Sequence, residues 1–102
     1  LRSERQAEQY ARDVLLLYAA HGVTTIRGML GHPWHLALRE DLARGAVLGP
    51  RLYTAGPSLN GKTAPDPATG ARLVREQKAA GYDFLKLHPG LTRDTFDAIV
   101  AA

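Results

Sequence analysis

A chain of 102 residues with a net charge of +3 has room for one small domain and a modest core. Its ten arginines and three lysines are interspersed with acids, as in Arg39-Glu40-Asp41 and Arg75-Glu76, so no basic stripe for nucleic acid forms. Without cysteine there is no disulfide framework or thiolate metal site. The longest apolar run, residues 14–20, is too short to span a bilayer, and no signal peptide is visible. Neither nucleic acid nor membrane is an expected partner, and a cytoplasmic setting is expected over a secreted one.

The first predicted helix covers residues 4–21, with Ala7, Tyr10, Ala11, Val14, Leu17 and Tyr18 at helical spacing on one apolar face. Ser3 suits its N-cap and Gly22 its left-handed stop. The β-branched run 23–27 predicts a strand, followed by a loop through Pro33. A second helix over 34–44 packs through Trp34, Leu38 and Leu42, and a second strand covers 51–55. Residues 56–66 form the longest irregular stretch, and long loops in small domains often carry function. Asp66-Pro67 is a strong helix start, and that third helix runs to Ala80 before Gly81 ends it. A third strand is expected over 83–88, then a last helix capped by Thr92 with Phe96, Ile99 and Val100 as its apolar residues.

The order is αβαβαβα, an α/β class with parallel strands. Strand starts near 23, 51 and 83 are 28 and 32 residues apart, the period of a βα unit. A weak internal repeat supports it: Arg27 and Lys86 each lie five residues after a helix-ending glycine, Gly22 and Gly81. Three parallel strands alone leave two open edges, and the run Ala98-Ile99-Val100-Ala101-Ala102 reads as the middle of a helix. A fragment of a larger α/β domain is therefore expected. In isolation it should be inactive, and either poorly stable or self-associated through its open edges.

The segment Gly81-Tyr82-Asp83-Phe84-Leu85-Lys86-Leu87-His88 is the most informative. Strand parity puts Phe84, Lys86 and His88 on one face and Leu85 and Leu87 on the other. A lysine on so apolar a strand costs free energy unless something pairs with it or uses it. Chemistry in parallel α/β proteins gathers at the C-terminal ends of strands, where Lys86 and His88 lie.

Five segments together carry a resemblance: His21-Gly22-Val23-Thr24-Thr25-Ile26-Arg27, Leu48-Gly49-Pro50-Arg51-Leu52, Ala55-Gly56-Pro57, Val74-Arg75-Glu76-Gln77 and Tyr82-Asp83-Phe84-Leu85-Lys86. In order and spacing they resemble the amidohydrolase superfamily, nearest its imidazolonepropionase-like and prolidase-like branch. The resemblance implies a partial (β/α)8 TIM barrel, residues 1–102 spanning roughly its second to fourth strands within a single metal-dependent hydrolase domain. It implies that Lys86 is carboxylated and bridges two divalent ions, Zn2+ by the family's habit, which activate a hydroxide for cleaving an amide or cyclic amide-type bond of a small-molecule substrate. A desolvated amine that gives up its proton can capture CO2 and supply the anionic bridge. The remaining ligands, a His-x-His pair before this stretch and two histidines and an aspartate after it, are outside it.

His88 and Arg27 are candidates for contact with substrate. A backbone-bonded histidine and an arginine paired with a neighbouring acid are the alternatives. The family often has aspartate where this chain has Gly28, so that neighbour pairing is absent. Asn60 is a third candidate, with Ser58 and Lys62 in the same loop, although ordinary turn chemistry explains Asn60-Gly61 equally well. His32 and His35 form an HxxH without a nearby third ligand, which argues against zinc there. The glycine spacing does not match a phosphate loop.

Two other classes remain. Gly81 to Lys86 also looks like the lysine strand of deoxyribose-phosphate-type class I aldolases, with Lys86 as a Schiff-base nucleophile. That family's strand continues through Thr and Ser, whereas Leu87-His88-Pro89 follows here. A non-catalytic α/β fragment that associates with copies of itself is the third reading.

Overall fold

The computed structural model describes residues 3–102, in the order α1 (Glu4–Ala20), β1 (Thr25–Gly28), α2 (Trp34–Ala43), β2 (Arg51–Thr54), α3 (Pro67–Ala80) and α4 (Arg93–Ala101). The expected caps form. Ser3 and Gln6 make a reciprocal capping box on α1, Asp66 accepts from the Thr69 amide with Pro67 behind it, and Thr92 accepts from the Thr95 amide. Gly22 and Gly81 both take positive φ, 83° and 95°. After each glycine the next amide returns to the helix, Val23 N–H to Tyr18 O and Tyr82 N–H to Gln77 O. Val23 is thereby used by the α1 cap, and β1 starts at Thr25 rather than at 23.

β1 and β2 pair in parallel, with Ile26 beside Leu52 and Arg27 beside Tyr53. The extended segment after Gly81 lies on the other side of β2, through two parallel bridges, Ala55 with Phe84 and Leu59 with Leu87. The expected strand over 83–88 is thus extended and correctly placed, but it does not form a continuous ladder. Between the two bridges the 55–59 side has one residue more than the 84–87 side, which makes a bulge at Gly56–Ser58. Pro57 has no amide to give to a ladder, and its carbonyl accepts from Gln77 Nε2 at 2.7 Å.

Two apolar clusters hold the helices to the strands. Leu15, Leu38, Leu42 and Leu52 form the first, with Ile26 and Trp34 packed against it. Leu59, Ala64, Val74 and Ile99 form the second, with Leu85 and Leu87 against it. Helix α2 packs as its spacing predicts. Helix α1 does not: its buried residue is Leu15, while Tyr10, Leu17 and Tyr18 of the expected face are exposed. In α4, Thr95 and Ile99 are buried and Phe96 and Val100 are exposed, because that helix meets α3 over Gly70. A Cβ at Gly70 would stand 3.0 Å from Ile99 Cγ1 and 3.1 Å from Thr95 Cγ2, so the small residue permits the close approach. Among the described residues, no helix is long and apolar enough to cross a membrane.

Candidate functional site

Alternation along each strand sorts the side chains into two faces. Ile26, Leu52, Leu85 and Leu87 go to the helices. Arg27, Tyr53, Phe84, Lys86 and His88 occupy the opposite parity, on a face that no helix among the described residues covers. The Arg27 guanidinium carbon lies 6.0 Å from the centroid of the Phe84 ring. That contact spans β2 at Ala55, whose methyl is short enough to let Arg27 reach across. The sequence repeat is therefore also structural: α1 with Gly22 and α3 with Gly81 each deliver a cation five residues later, Arg27 and Lys86, onto the same face.

Lys86 is half-buried, and its carbonyl accepts from the Leu59 amide at 2.9 Å. His88 is exposed, and its amide donates to Leu59 O at 2.9 Å. Among the described residues neither side chain makes a hydrogen bond or an ion pair, and no carboxylate lies within 4.0 Å of the Lys86 amine. The alternative in which Lys86 is a structural lysine paired with a buried acid finds no such acid among these residues. The described residues also hold no group of three or more His, Cys, Asp or Glu side chains able to grip an ion. Lys86 has the chemistry for one bridging ligand, and the rest of a metal site would have to come from elsewhere.

The Asn60 loop approaches the same end of the structure. A Cβ at Gly61 would lie 2.6 Å from Gly90 O, so the loop rests on the turn that follows His88. Asn60 Oδ1 accepts from the amides of Lys62 and Thr63 at 2.8 and 3.0 Å, and the Asn60 amide donates to Thr63 Oγ1. Its carbonyl oxygen thus serves the turn itself.

At the C-terminal end of β1, His32, Trp34 and His35 cluster. The His32 and Trp34 rings are parallel with centroids 6.3 Å apart, and His35 meets Trp34 edge-on at 4.2 Å. His35 Nδ1 accepts from the His32 amide at 3.2 Å. Burial, with the nearby His32 ring second, holds the His35 pKa below its ordinary value.

A link that reasoning from sequence missed lies just before Lys86. Asp83 Oδ2 accepts from the Thr54 amide at 2.9 Å and from Arg39 Nη1 at 3.0 Å, while the same nitrogen donates to Gly81 O at 2.9 Å. The hydrogen bond to Asp83 is the main reason that the Arg39 pKa is raised. Asp is disfavoured in strands, so one opening an otherwise largely apolar extended segment was a readable sign of a fixed partner.

Neither a protein-family model nor a curated protein matches the sequence. Solved structures do match the fold. A crystal structure of an amidohydrolase aligns over 92% of this chain and 33% of its own, with a TM-score of 0.75 and 22% identity. A Xaa-Pro dipeptidase, solved with methionine bound in its active site, aligns over 99% of this chain and 34% of its own, at 0.71 and 22%. A putative prolidase from Bifidobacterium longum aligns over 93% of this chain and 28% of its own, at 0.70 and 25%. The chain spans about a third of the length of the structures it matches. By fold, with its parallel strands and the helices packed on one side of them, this chain is a partial α/β barrel that matches about a third of these amidohydrolase and prolidase structures.

Proposed function

We propose that residues 1–102 belong to a single hydrolase barrel domain that cleaves an amide or cyclic amide-type bond in a small molecule with the help of two divalent ions, zinc being the family's usual choice. The observation that carries this reading is Lys86: an amine without an acidic partner among the described residues, on the face opposite the described helices of a segment whose fold aligns with amidohydrolase and prolidase structures. In this reading Lys86, carboxylated, is the anionic bridge that this segment contributes to the ions. When bound, such ions activate water and polarise the carbonyl under attack.

The chain's own residues then have separable tasks. Lys86 brings one ligand from the C-terminal end of its strand, the position barrel enzymes use. Arg27, braced on the Phe84 ring and without a carboxylate partner among the described residues, offers a charged fork for an anionic group of the substrate. His88, beyond Lys86 on the same face, borders the same space.

The test is activity of the full-length protein toward dipeptides and cyclic amides. Lys86→Ala should abolish hydrolysis, whereas Lys86→Glu should keep a fraction of it, because glutamate restores a shorter anion. Full activity in Lys86→Ala would end this reading, and a substrate adduct trapped on Lys86 by borohydride would replace it with the Schiff-base aldolase.

A further inference from the structure

We infer that Asp83 is a positioning residue that sets Lys86 on the active face by fastening the start of its strand to β2. The inference rests on the proposed role of Lys86. It starts from a topological problem. Residues 83–88 are joined to β2 by two isolated bridges with a bulge between them, so a continuous ladder does not fix their register. A one-residue slip would exchange the two faces, burying Lys86 against Val74 and Ile99 and turning Leu85 and Leu87 outward.

Asp83 holds the register at the near end of the segment. Its amide donates to Thr54 O at 2.9 Å, and its Oδ2 accepts from the Thr54 amide at 2.9 Å. One residue thus closes both main-chain hydrogen-bonding groups of Thr54, which is wholly buried at 0% exposure. After a slip the side chain could not reach, and the Thr54 amide would be left unpaired in the interior. Arg39 completes the arrangement: its Nη1 bridges Asp83 Oδ2 and Gly81 O, tying the carboxylate to α2 and to the glycine that ends α3. At the far end, the Leu59 amide on Lys86 O and the His88 amide on Leu59 O hold the register beyond the bulge. In the bulge itself, Gln77 Nε2 takes the Pro57 carbonyl, so the extra residue is held in place. Lys86 is thus held at the far point through its own carbonyl, and the point at the start of the segment is the one that depends on a side chain.

The experiment compares Asp83→Ala and Asp83→Asn with wild type in the full-length protein, with Lys86→Ala alongside and all rates expressed per folded molecule. Asp83→Ala should speed exchange of the Thr54 amide tenfold or more, in line with loss of a buried hydrogen bond. It should lower kcat by roughly 10- to 100-fold, the usual effect of a misplaced reactive group, and change KM by less than about twofold. Asp83→Asn keeps an oxygen for the Thr54 amide, so it should restore protection there and recover most of kcat. Two results would overturn the inference: wild-type kcat in Asp83→Ala while Thr54 exchanges fast, or an Asp83→Asn variant no better than Asp83→Ala. If Lys86→Ala is itself active, the reading of Lys86 fails separately. The 13C-methylated amine of Lys86 in metal-free protein, assigned by its loss in Lys86→Ala, then decides for Asp83. Its signal should move away from the wild-type position in Asp83→Ala as the amine changes face, and an unmoved signal would count against positioning.

Discussion

Gly31→Ala would put a methyl group where the backbone leaves no room. A Cβ at Gly31 would overlap Ala55 O and would lie 2.6 Å from Ala55 C and 2.9 Å from Gly56 C. All three are main-chain atoms at the end of β2, so no rotamer change relieves the clash. Carbon contacts settle at ~3.5 Å, so the loop carrying His32, with the start of α2 at Trp34 and His35, would have to lift by roughly 2 Å. Overpacking costs about 1–3 kcal/mol where neighbouring side chains can yield; with only backbone to yield, a loss of about 3 kcal/mol or more is expected. Gly45→Ala is the matched control. Nothing lies within 4 Å of a Cβ there, and its φ of +78° exposes the substitution only to the left-handed backbone cost of ~1–2 kcal/mol. Urea unfolding of the full-length protein, with m checked for constancy, measures both. A Gly31→Ala variant within about 0.5 kcal/mol of wild type would show that this loop does not rest on β2 as described.

Three shorter predictions accompany it. The His35 pKa is lowered in the folded protein, so the unfolded chain binds the extra proton first, and stability should fall as pH drops below the ordinary histidine value, the loss ending at the lower folded pKa. His35→Gln should flatten that part of the pH–stability curve, and an unchanged slope would assign it to other groups. Leu59→Ala, at 0% exposure in the second apolar cluster, should cost about 2–5 kcal/mol in the same unfolding assay, and a cost under about 1 kcal/mol would contradict its place in the core. Arg27→Ala should raise KM more than it lowers kcat if its guanidinium holds substrate, and an equal fall in kcat and kcat/KM would assign it to the transition state instead.

Local chemistry carried much of this fold into the sequence. Ser3, Asp66 and Thr92 cap helices as their type and position imply, and Gly22 and Gly81 end them. The parity of residues 84–88 was legible because alternation is a property of one strand: Leu85 and Leu87 do pack toward α3 and α4. What could not be read depends on the neighbour. The Gly56–Ser58 bulge is a mismatch between two segments some thirty residues apart, and neither segment shows it alone. In α1 the apolar residues outnumber the buried positions, and contact with α2 and β2 selects Leu15 over Leu17. The Asp83–Arg39 pair joins residues 44 apart, so only the acid's unusual place at a strand start marked it. Asn60 was ambiguous from the start, since a residue suited to a pocket is also one suited to a turn, and its Oδ1 is bonded within the turn.

In the proposed function, Lys86 helps to hold metal as a carbamate. The most direct test of that role is metal content per polypeptide of the full-length protein, wild type against Lys86→Ala, each reconstituted with zinc in the presence and absence of bicarbonate. Wild type should bind close to two ions, and more fully with bicarbonate, whereas Lys86→Ala should lose metal and stop responding to bicarbonate. Equal metal content in both proteins, with no effect of bicarbonate on either, would contradict the claim and remove Lys86 from the metal site.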